Sequence, residues 1–420
     1  MPIEDKCEPS VGNAESALSP NLSRRRQVRK SSACSRGGIV VSQNRVASVM
    51  GARVLKAGGH AIDAAVATAF ALGVVEPWMS GIGGVGGMLV HQAAVEETVG
   101  FDFGPRAPIG LDPSDFVLSA ERDHDNLFAY PAQSNFSGVQ HPLKWIEQAH
   151  AHGWDVLLDA AAFVPTNTLD LSTCHPDFVA ISFYKMFGWP TGVGCLLARR
   201  EALAKLERPW FSGGTIVAAF VQREYFQSAP GAAHFEDGTV NYLNLPAVEI
   251  GLRYLDRVGV DTIHRRVAAL SGWLIDQLGS MRHGNGAAAT VIYGPRSTER
   301  RGGTIAFNFL HPDGRVVDER YVDRIASEHN VSLRTGCFCN PGAGEVAFTI
   351  SRETLLGGEF GEGMSLDDYV DAIGLPSGGA IRASLGLVSN FNDVQRFMTF
   401  ASRFIDLPEV PTDLPPRVGC

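Results

Sequence analysis

Lys185 closes an apolar run, Phe178-Val-Ala-Ile-Ser-Phe-Tyr184, and opens a Gly/Pro-rich stretch, Met186-Phe-Gly-Trp-Pro-Thr-Gly-Val-Gly194. Far downstream, Arg334-Thr-Gly-Cys337-Phe-Cys339-Asn-Pro-Gly342 sets two thiols beside an arginine in a turn. A lysine at the end of a buried strand is suited to Schiff-base chemistry. A thiol beside a cation is biased toward thiolate, the nucleophilic form. Together these groups are the equipment for drawing sulfur off an amino acid. Asp159 ends a second apolar run, Asp155-Val-Leu-Leu-Asp159, and supplies an acid able to pair with a protonated ring nitrogen. Arg382, in Ala380-Ile-Arg-Ala-Ser-Leu-Gly386, has the guanidinium fork that grips a carboxylate bidentately. On spacing alone the plainer roles stay open: a capping Asp159, a surface Lys185, two inert cysteines and an Arg382 in an ordinary ion pair.

The elements that must carry these groups follow from pattern. Residues 127–130, 155–159, 177–183 and 192–198 read as strands, with a helix over 142–152 closed by Gly153. This alternation predicts a mostly parallel α/β sheet with Asp159 and Lys185 at the carboxyl ends of neighbouring strands, where open sheets place ligands. Ile263, Val267, Leu270, Leu274 and Leu278 repeat at helical spacing, with Asp261 as the expected N-cap. Residues 286–405 read as a smaller α+β domain and 406–420 as a tail. Upstream, a strand is expected at 38–44, helices at 46–57 and 61–75, then a glycine run, Gly81-Ile-Gly83-Gly84-Val-Gly86-Gly87, entering a strand. That run matches a dinucleotide fingerprint formally, but the fingerprint needs a strand before it and a helix after it, the reverse of this order.

The net charge of −9 and the pI near 5.7 exclude a general nucleic-acid binder. The basic cluster Arg24-Arg25-Arg26 lies in a Ser- and Arg-rich tail, 1–36, read as disordered. No apolar run is long enough to span a bilayer. Seven scattered cysteines, of which only Cys337 and Cys339 are close, fit a reducing, cytoplasmic setting and no zinc site.

From about 124 to 405 the chain resembles the molybdenum cofactor sulfurase and cysteine desulfurase branch of the class V aminotransferases. The resemblance is carried by Leu127-Phe-Ala-Tyr-Pro-Ala-Gln-Ser-Asn-Phe-Ser-Gly138, Leu158-Asp-Ala-Ala-Ala-Phe163, Ile181 to Gly194, Phe211-Ser-Gly-Gly-Thr215, His234-Phe-Glu-Asp-Gly-Thr239, Arg334 to Asn340 and Ile381 to Gly386. It implies the α/β fold of pyridoxal phosphate (PLP)-dependent transferases. The large domain, 124–285, would resemble that of aspartate aminotransferase but be incomplete at its N-terminus, and a small α+β domain would follow. By the resemblance, Lys185 carries PLP, Asp159 pairs with the ring nitrogen, Asn135 meets the ring hydroxyl and Ser182 the phosphate. Gly238 and Thr239 would reach the phosphate from the partner subunit of a homodimer. Arg382, with Arg334 nearby, would bind the carboxylate of L-cysteine. Cys339 would take the sulfur as a persulfide, with Cys337 as the alternative, and pass it to an acceptor for which molybdenum cofactor is the candidate. Three positions depart from the family: Tyr184 replaces a frequent histidine, Ala162 a frequent glutamine, and Gly344 a frequent cysteine.

Residues 37–118 instead resemble the opening of the gamma-glutamyltranspeptidases, through Ala52-Arg-Val-Leu-Lys-Ala-Gly-Gly-His-Ala-Ile-Asp-Ala-Ala-Val66, Leu72-Gly-Val-Val-Glu-Pro77, Ser80-Gly-Ile-Gly-Gly84 and Arg106-Ala-Pro108. There Arg106 would bind a glutamyl carboxylate, but the family's catalytic threonine region has no counterpart. Two further readings therefore accompany the sulfur-transfer one. The first is a catalytically impaired relative acting as a binding protein, since the desulfurases' phosphate turn and ring-stacking residue find no match in 37–123. The second is a transpeptidase-like hydrolase.

Overall fold

The computed structural model describes residues 45–58, 87–92, 97–102, 126–208, 212–223, 225–357, 363–375, 377–411 and 414–417, all within a compact unit running from Val40 to Cys420. The tail 1–36, the strand at 38–44, the helix at 61–75, the glycines at 81–86 and Arg106 fall outside the described residues.

The first expected helix is present as Arg45–Lys56, and Gly58 follows it at φ +94°. The strand after the glycine run is β1 (Gly87–Gln92), which pairs antiparallel with β2 (Glu97–Asp102). Among the described residues, one sheet has four strands in the order β3 (Leu127–Pro131), β4 (Asp155–Asp159), β5 (Phe178–Ser182) and β6 (Gly194–Ala198). β3, β4 and β5 run parallel, as the alternation predicts. β6 does not: it runs antiparallel to β5, with Gly194 opposite Ser182. Only residues 183–193 join the two strands, too few to cross over and return in parallel.

β4 is buried on both faces. Val156 and Leu158 pack with Tyr130, Trp145, Ile146 and Val179, while Leu157 packs with Phe178 and Ala202 on the opposite side. The helix expected over 142–152 is shorter, Trp145–Ala151, because Pro142 to Lys144 form a turn before it; Gly153, at φ +82°, lies just past its end. β6 differs from its neighbours in leaving both Leu196 and Leu197 exposed. The exposed apolar surface continues on the antiparallel hairpin of β7 (Ile216–Phe220) and β8 (Tyr225–Ser228), and on the helix Leu245–Val258 through Ile250 and Tyr254.

The helical spacing from Ile263 to Leu278 appears as one helix, Val260–Ser280, with all five apolar residues buried. Its N-cap is Gly259; Asp261 lies inside the first turn and accepts a hydrogen bond from the Thr168 hydroxyl (3.2 Å). Ile263 and Val267 pack with Leu255, whereas Leu270, Leu274 and Leu278 enter the core of the small domain. That domain's sheet is fully antiparallel, in the order β11 (Arg334–Gly336), β12 (Ala380–Ser384), β10 (Thr304–Phe309) and β9 (Thr290–Tyr293). Arg301 stitches the domains together. It is buried, and its Nη2 donates to the carbonyls of Ser137 (2.9 Å) and Thr304 (2.6 Å), while Nη1 donates to that of Pro295. Burial draws its guanidinium down to about 10.

Candidate active site

The parallel strands deliver their carboxyl ends to one edge of the sheet. Asp159 is the last residue of β4, Ser182 the last of β5, and Asn135 follows four residues after the end of β3. Lys185 belongs to the short helix Phe183–Phe187 rather than to the expected loop, and is exposed there. This helix begins directly where β5 stops and ends at Gly188, φ +82°. Ser182 is half-buried at its N-cap, and no side-chain hydrogen bond to the helix is formed.

Asp159 is 8% exposed. Its Oδ1 accepts the Ala161 N–H (2.9 Å), closing a local turn. Burial raises its carboxyl to about 6, against the opposing pull of that N–H and of the Lys185 ammonium. Lys185 and Asp159 therefore share one electrostatic environment, and the carboxylate is held at a cost that a second cation would offset. Lys185 also places its Nζ 5.9 Å from the Tyr184 ring centroid.

The small domain brings the remaining groups to the same place. Arg334 on β11 stands opposite Arg382 on β12. Burial, and then the Arg334 charge, press Arg382 down, while Cys339 and Tyr184 pull it up. Arg382 donates from Nη1 to the Asn135 carbonyl (2.9 Å), lies 4.7 Å from the Phe338 ring centroid, and keeps a buried Nε without a partner. Two guanidiniums facing each other, one with an orphaned donor, make a site for a carboxylate.

The cysteine turn closes over these groups. Gly336 has φ +109°, Phe338 φ +57° and Cys339 φ +56°. For non-glycine residues the left-handed region costs about 1–2 kcal/mol each, so the turn must be held by its surroundings. Asn135 Nδ2 donates to the Phe338 carbonyl (2.8 Å), and Asn340 Nδ2 donates to Asn135 Oδ1 (3.1 Å). Cys339 is exposed and Cys337 half-buried; neither is in a disulfide.

Lys185 and Asp159 are coupled by charge, and Asn135, Arg334, Arg382 and Cys339 by contacts and charge; Tyr184, next to Lys185, feels the Arg382 charge, and Ser182 stands at the strand ends. Gly238 and Thr239 are exposed on a separate turn, where Gly238 N–H donates to the Gly213 carbonyl (2.7 Å) and Asp237 pairs with Arg208 (2.6 Å). Tyr184, Phe338 and Asn340 are the site residues that the chemistry of isolated residue types misses. Asn340 had a readable signal, since Asn-Pro is the cap and first-turn pair that starts a helix. It caps Pro341–Phe348, accepting the Ala343 N–H (3.1 Å).

One sheet carries the acid at a strand's carboxyl end with the lysine just beyond the next strand, and the antiparallel sheet carries the paired arginines beside the thiol turn, the arrangement of a mixed α/β protein. A family model described as Aminotransferase class-V matches residues 110–397, and the chain belongs to that family. A second model, Gamma-glutamyltranspeptidase, matches residues 47–143. The chain is 40% identical over 290 residues to the molybdenum cofactor sulfurases of Bos taurus and Homo sapiens. Each alignment covers 66% of this chain, with 33% and 32% of the respective relative. The chain therefore spans about a third of the length of those relatives. Among solved structures it is similar to a cysteine desulfurase of Thermococcus onnurineus NA1, with a TM-score of 0.51 and 24% identity, covering 67% of this chain and 60% of that one. A cysteine desulfurase of Escherichia coli gives a TM-score of 0.50 at 19% identity, covering 66% and 59%. These likenesses show the fold.

Proposed function

We propose that the protein is a PLP-dependent enzyme that takes sulfur from L-cysteine, leaving alanine and a persulfide on Cys339. What supports this reading is the charge coupling of Asp159 to Lys185, and of Arg382 both to Cys339 and to Tyr184 beside that lysine. The 40% identity to molybdenum cofactor sulfurases supports the same chemistry.

The residues present fit the cofactor. Asp159 is a carboxylate raised to about 6 by burial, only partly offset by the Ala161 N–H and the Lys185 charge, and a protonated pyridine nitrogen is the partner that would restore its charge. Lys185 is the amine that would hold the cofactor covalently, Ser182 would meet its phosphate and Asn135 its ring oxygen. Bound there, PLP supplies an electron sink for bond changes at the α and β carbons of an amino acid.

The chain's own groups do the rest. The unpartnered Nε of Arg382 and the facing Arg334 bind and orient the substrate carboxylate. Cys339, exposed on its turn and within the field of Arg382, is the thiol placed to take the substrate sulfur. Cys337, half-buried two residues earlier, is the less accessible of the pair. The apolar surface of β6, the β7–β8 hairpin and the helix Leu245–Val258 is assigned to a homodimer contact, which would carry the exposed Gly238 and Thr239 toward the partner's site. Molybdenum cofactor is the proposed destination of the sulfur, through an acceptor of the kind the sulfurases serve, and the cytoplasm the proposed location. Among the described residues, no helix is long and apolar enough to cross a membrane.

The test is the visible absorbance of the purified protein with added PLP, beside Lys185→Ala. A yellow chromophore in the wild type that the variant lacks, followed by alanine formation that Cys339→Ala abolishes, is the expected result. A folded, colourless wild-type protein would overturn the reading and favour the binding-protein alternative.

A further inference from the structure

We infer that Asn340 is the positioning residue of the sulfur-accepting thiol: its amide ties the cysteine turn to Asn135 while its carbonyl oxygen caps the next helix. The inference rests on the proposed function for its catalytic consequence only; the tie itself is a property of the chain.

The two ends of the Asn340 side chain do different work. Oδ1 accepts the Ala343 N–H (3.1 Å) and so fixes the first turn of the helix Pro341–Phe348. Nδ2 donates to Asn135 Oδ1 (3.1 Å). Asn135 in turn donates to the Phe338 carbonyl (2.8 Å), inside the cysteine turn, and receives Arg382 Nη1 on its backbone oxygen (2.9 Å). The Asn340 backbone N–H closes the loop on the Cys337 carbonyl (3.0 Å). Asn340 is 3% exposed, so its amide is shielded from competing water.

This ring of contacts is what two consecutive left-handed residues, Phe338 and Cys339, require. Such backbone persists only when the surroundings over-determine it. Asn135 is also not exhausted. An amide has two donor hydrogens and two acceptor lone pairs, and the contacts above use one of each. The remaining hydrogen can meet a ring oxygen while the first holds the turn. Asn340 acts at one remove: it orients Asn135, and Asn135 holds both the turn and the cofactor-side face. The turn that carries the thiol is thereby held to the same Asn135 that receives Arg382, the residue proposed to bind the substrate carboxylate.

The test separates this role from simple capping. Serine at 340 retains a capping oxygen but has no amide donor, whereas alanine loses both. Hydrogen–deuterium exchange of the unloaded full-length protein is followed in peptides covering 334–340 and 341–348. Asn340→Ser is expected to speed exchange in 334–340 about fivefold, the weight of one hydrogen bond, and to leave 341–348 unchanged. Asn340→Ala should speed both. Asn135→Ala, which removes this tie together with the Asn135–Phe338 bond, should speed exchange in 334–340 at least as much, and the double variant should add little to Asn135→Ala. In the loaded enzyme, Asn340→Ser should lower kcat for alanine formation about tenfold, with KM for cysteine and the visible absorbance unchanged.

Exchange in 334–340 that Asn340→Ser does not alter would overturn the inference, whatever the activity. Altered exchange in a protein that takes up no PLP would leave the tie standing and defeat the proposed function instead. An equal rise in KM and fall in kcat would also overturn the positioning role.

Discussion

Replacing Asp159 by asparagine should make the cofactor-free protein more resistant to unfolding at alkaline pH than at acid pH, relative to wild type. The carboxyl moves from the usual 3.8 to about 6 on folding, chiefly through desolvation. Between those values the native state binds more protons than the unfolded state, so wild-type stability falls as pH rises through the window. At about 1.4 kcal/mol per pH unit, the full cost above pH 6 is about 3 kcal/mol. The asparagine of the Asp159→Asn variant would carry no such cost and could still accept the Ala161 N–H. Its new amide donors must be buried, a penalty on the order of 1–2 kcal/mol that does not vary with pH. The diagnostic quantity is therefore the difference between two pH values, from which that penalty cancels. Urea unfolding followed by tryptophan fluorescence, run on both proteins at about pH 8 and about pH 4.5, should show a ΔΔG that shifts by roughly 2 kcal/mol in favour of the variant at the higher pH. Equal ΔΔG at the two values would refute the reasoning. It would mean that Asp159 is ionised at no expense and that no second cation is needed to explain it.

Two further outcomes follow from the packing behind the site. A side-chain carbon at Gly379 would overlap the Gly336 backbone, so Gly379→Ala should part β11 from β12 and cost about 1–3 kcal/mol. Urea unfolding reports that loss, and a raised KM for cysteine would report the displaced pair Arg334 and Arg382. Glu319 is a buried carboxylate held by the Ser377 hydroxyl (2.6 Å), the Gly378 N–H (3.0 Å) and Arg417 (2.6 Å). Glu319→Gln should destabilise by about 3 kcal/mol, and the double variant with Arg417→Met should lose less than the sum of the singles in chemical denaturation.

The parts of the fold that were legible in the sequence are those whose neighbours are local or whose faces are fully buried. β4 spans Asp155–Asp159 as read, because its run is buried from Val156 onward. Ile263 to Leu278 are the buried stripe of one helix, because that stripe packs along two cores. The direction of β6 was not legible. An apolar run reads the same both ways, and only the length of the connection decides. Asp261 suits a cap by residue type alone; Gly259, the residue that begins the turn, has no side chain to announce it. At the site, the acid and the lysine were legible as residue types at strand ends, and the arginine by its guanidinium. That Arg382 meets Asn135, 247 positions earlier in the chain, is a tertiary fact with no local signature. The same holds for Phe338, whose ring reads as core and whose carbonyl receives Asn135.

The construction of the small domain bears on how such a chain folds. Every residue of its buried core cluster, from Leu270 to Phe404, comes from one continuous stretch, and the partly buried residues packed against it extend only to Val410. Within that stretch the core still joins distant positions, β10 to β12 and the helix Val260–Ser280 to the helix Phe391–Ala401, so its assembly must close long loops. A replacement near the amino end leaves its core contacts untouched. The segment that presents Arg334, Arg382 and Cys339 meets earlier residues through Arg301 with Ser137, Arg382 with Asn135, Phe338 and Tyr293 with Phe136, and the helix Pro341–Phe348 with β1 and β2, all of which a changed N-terminal part must re-form.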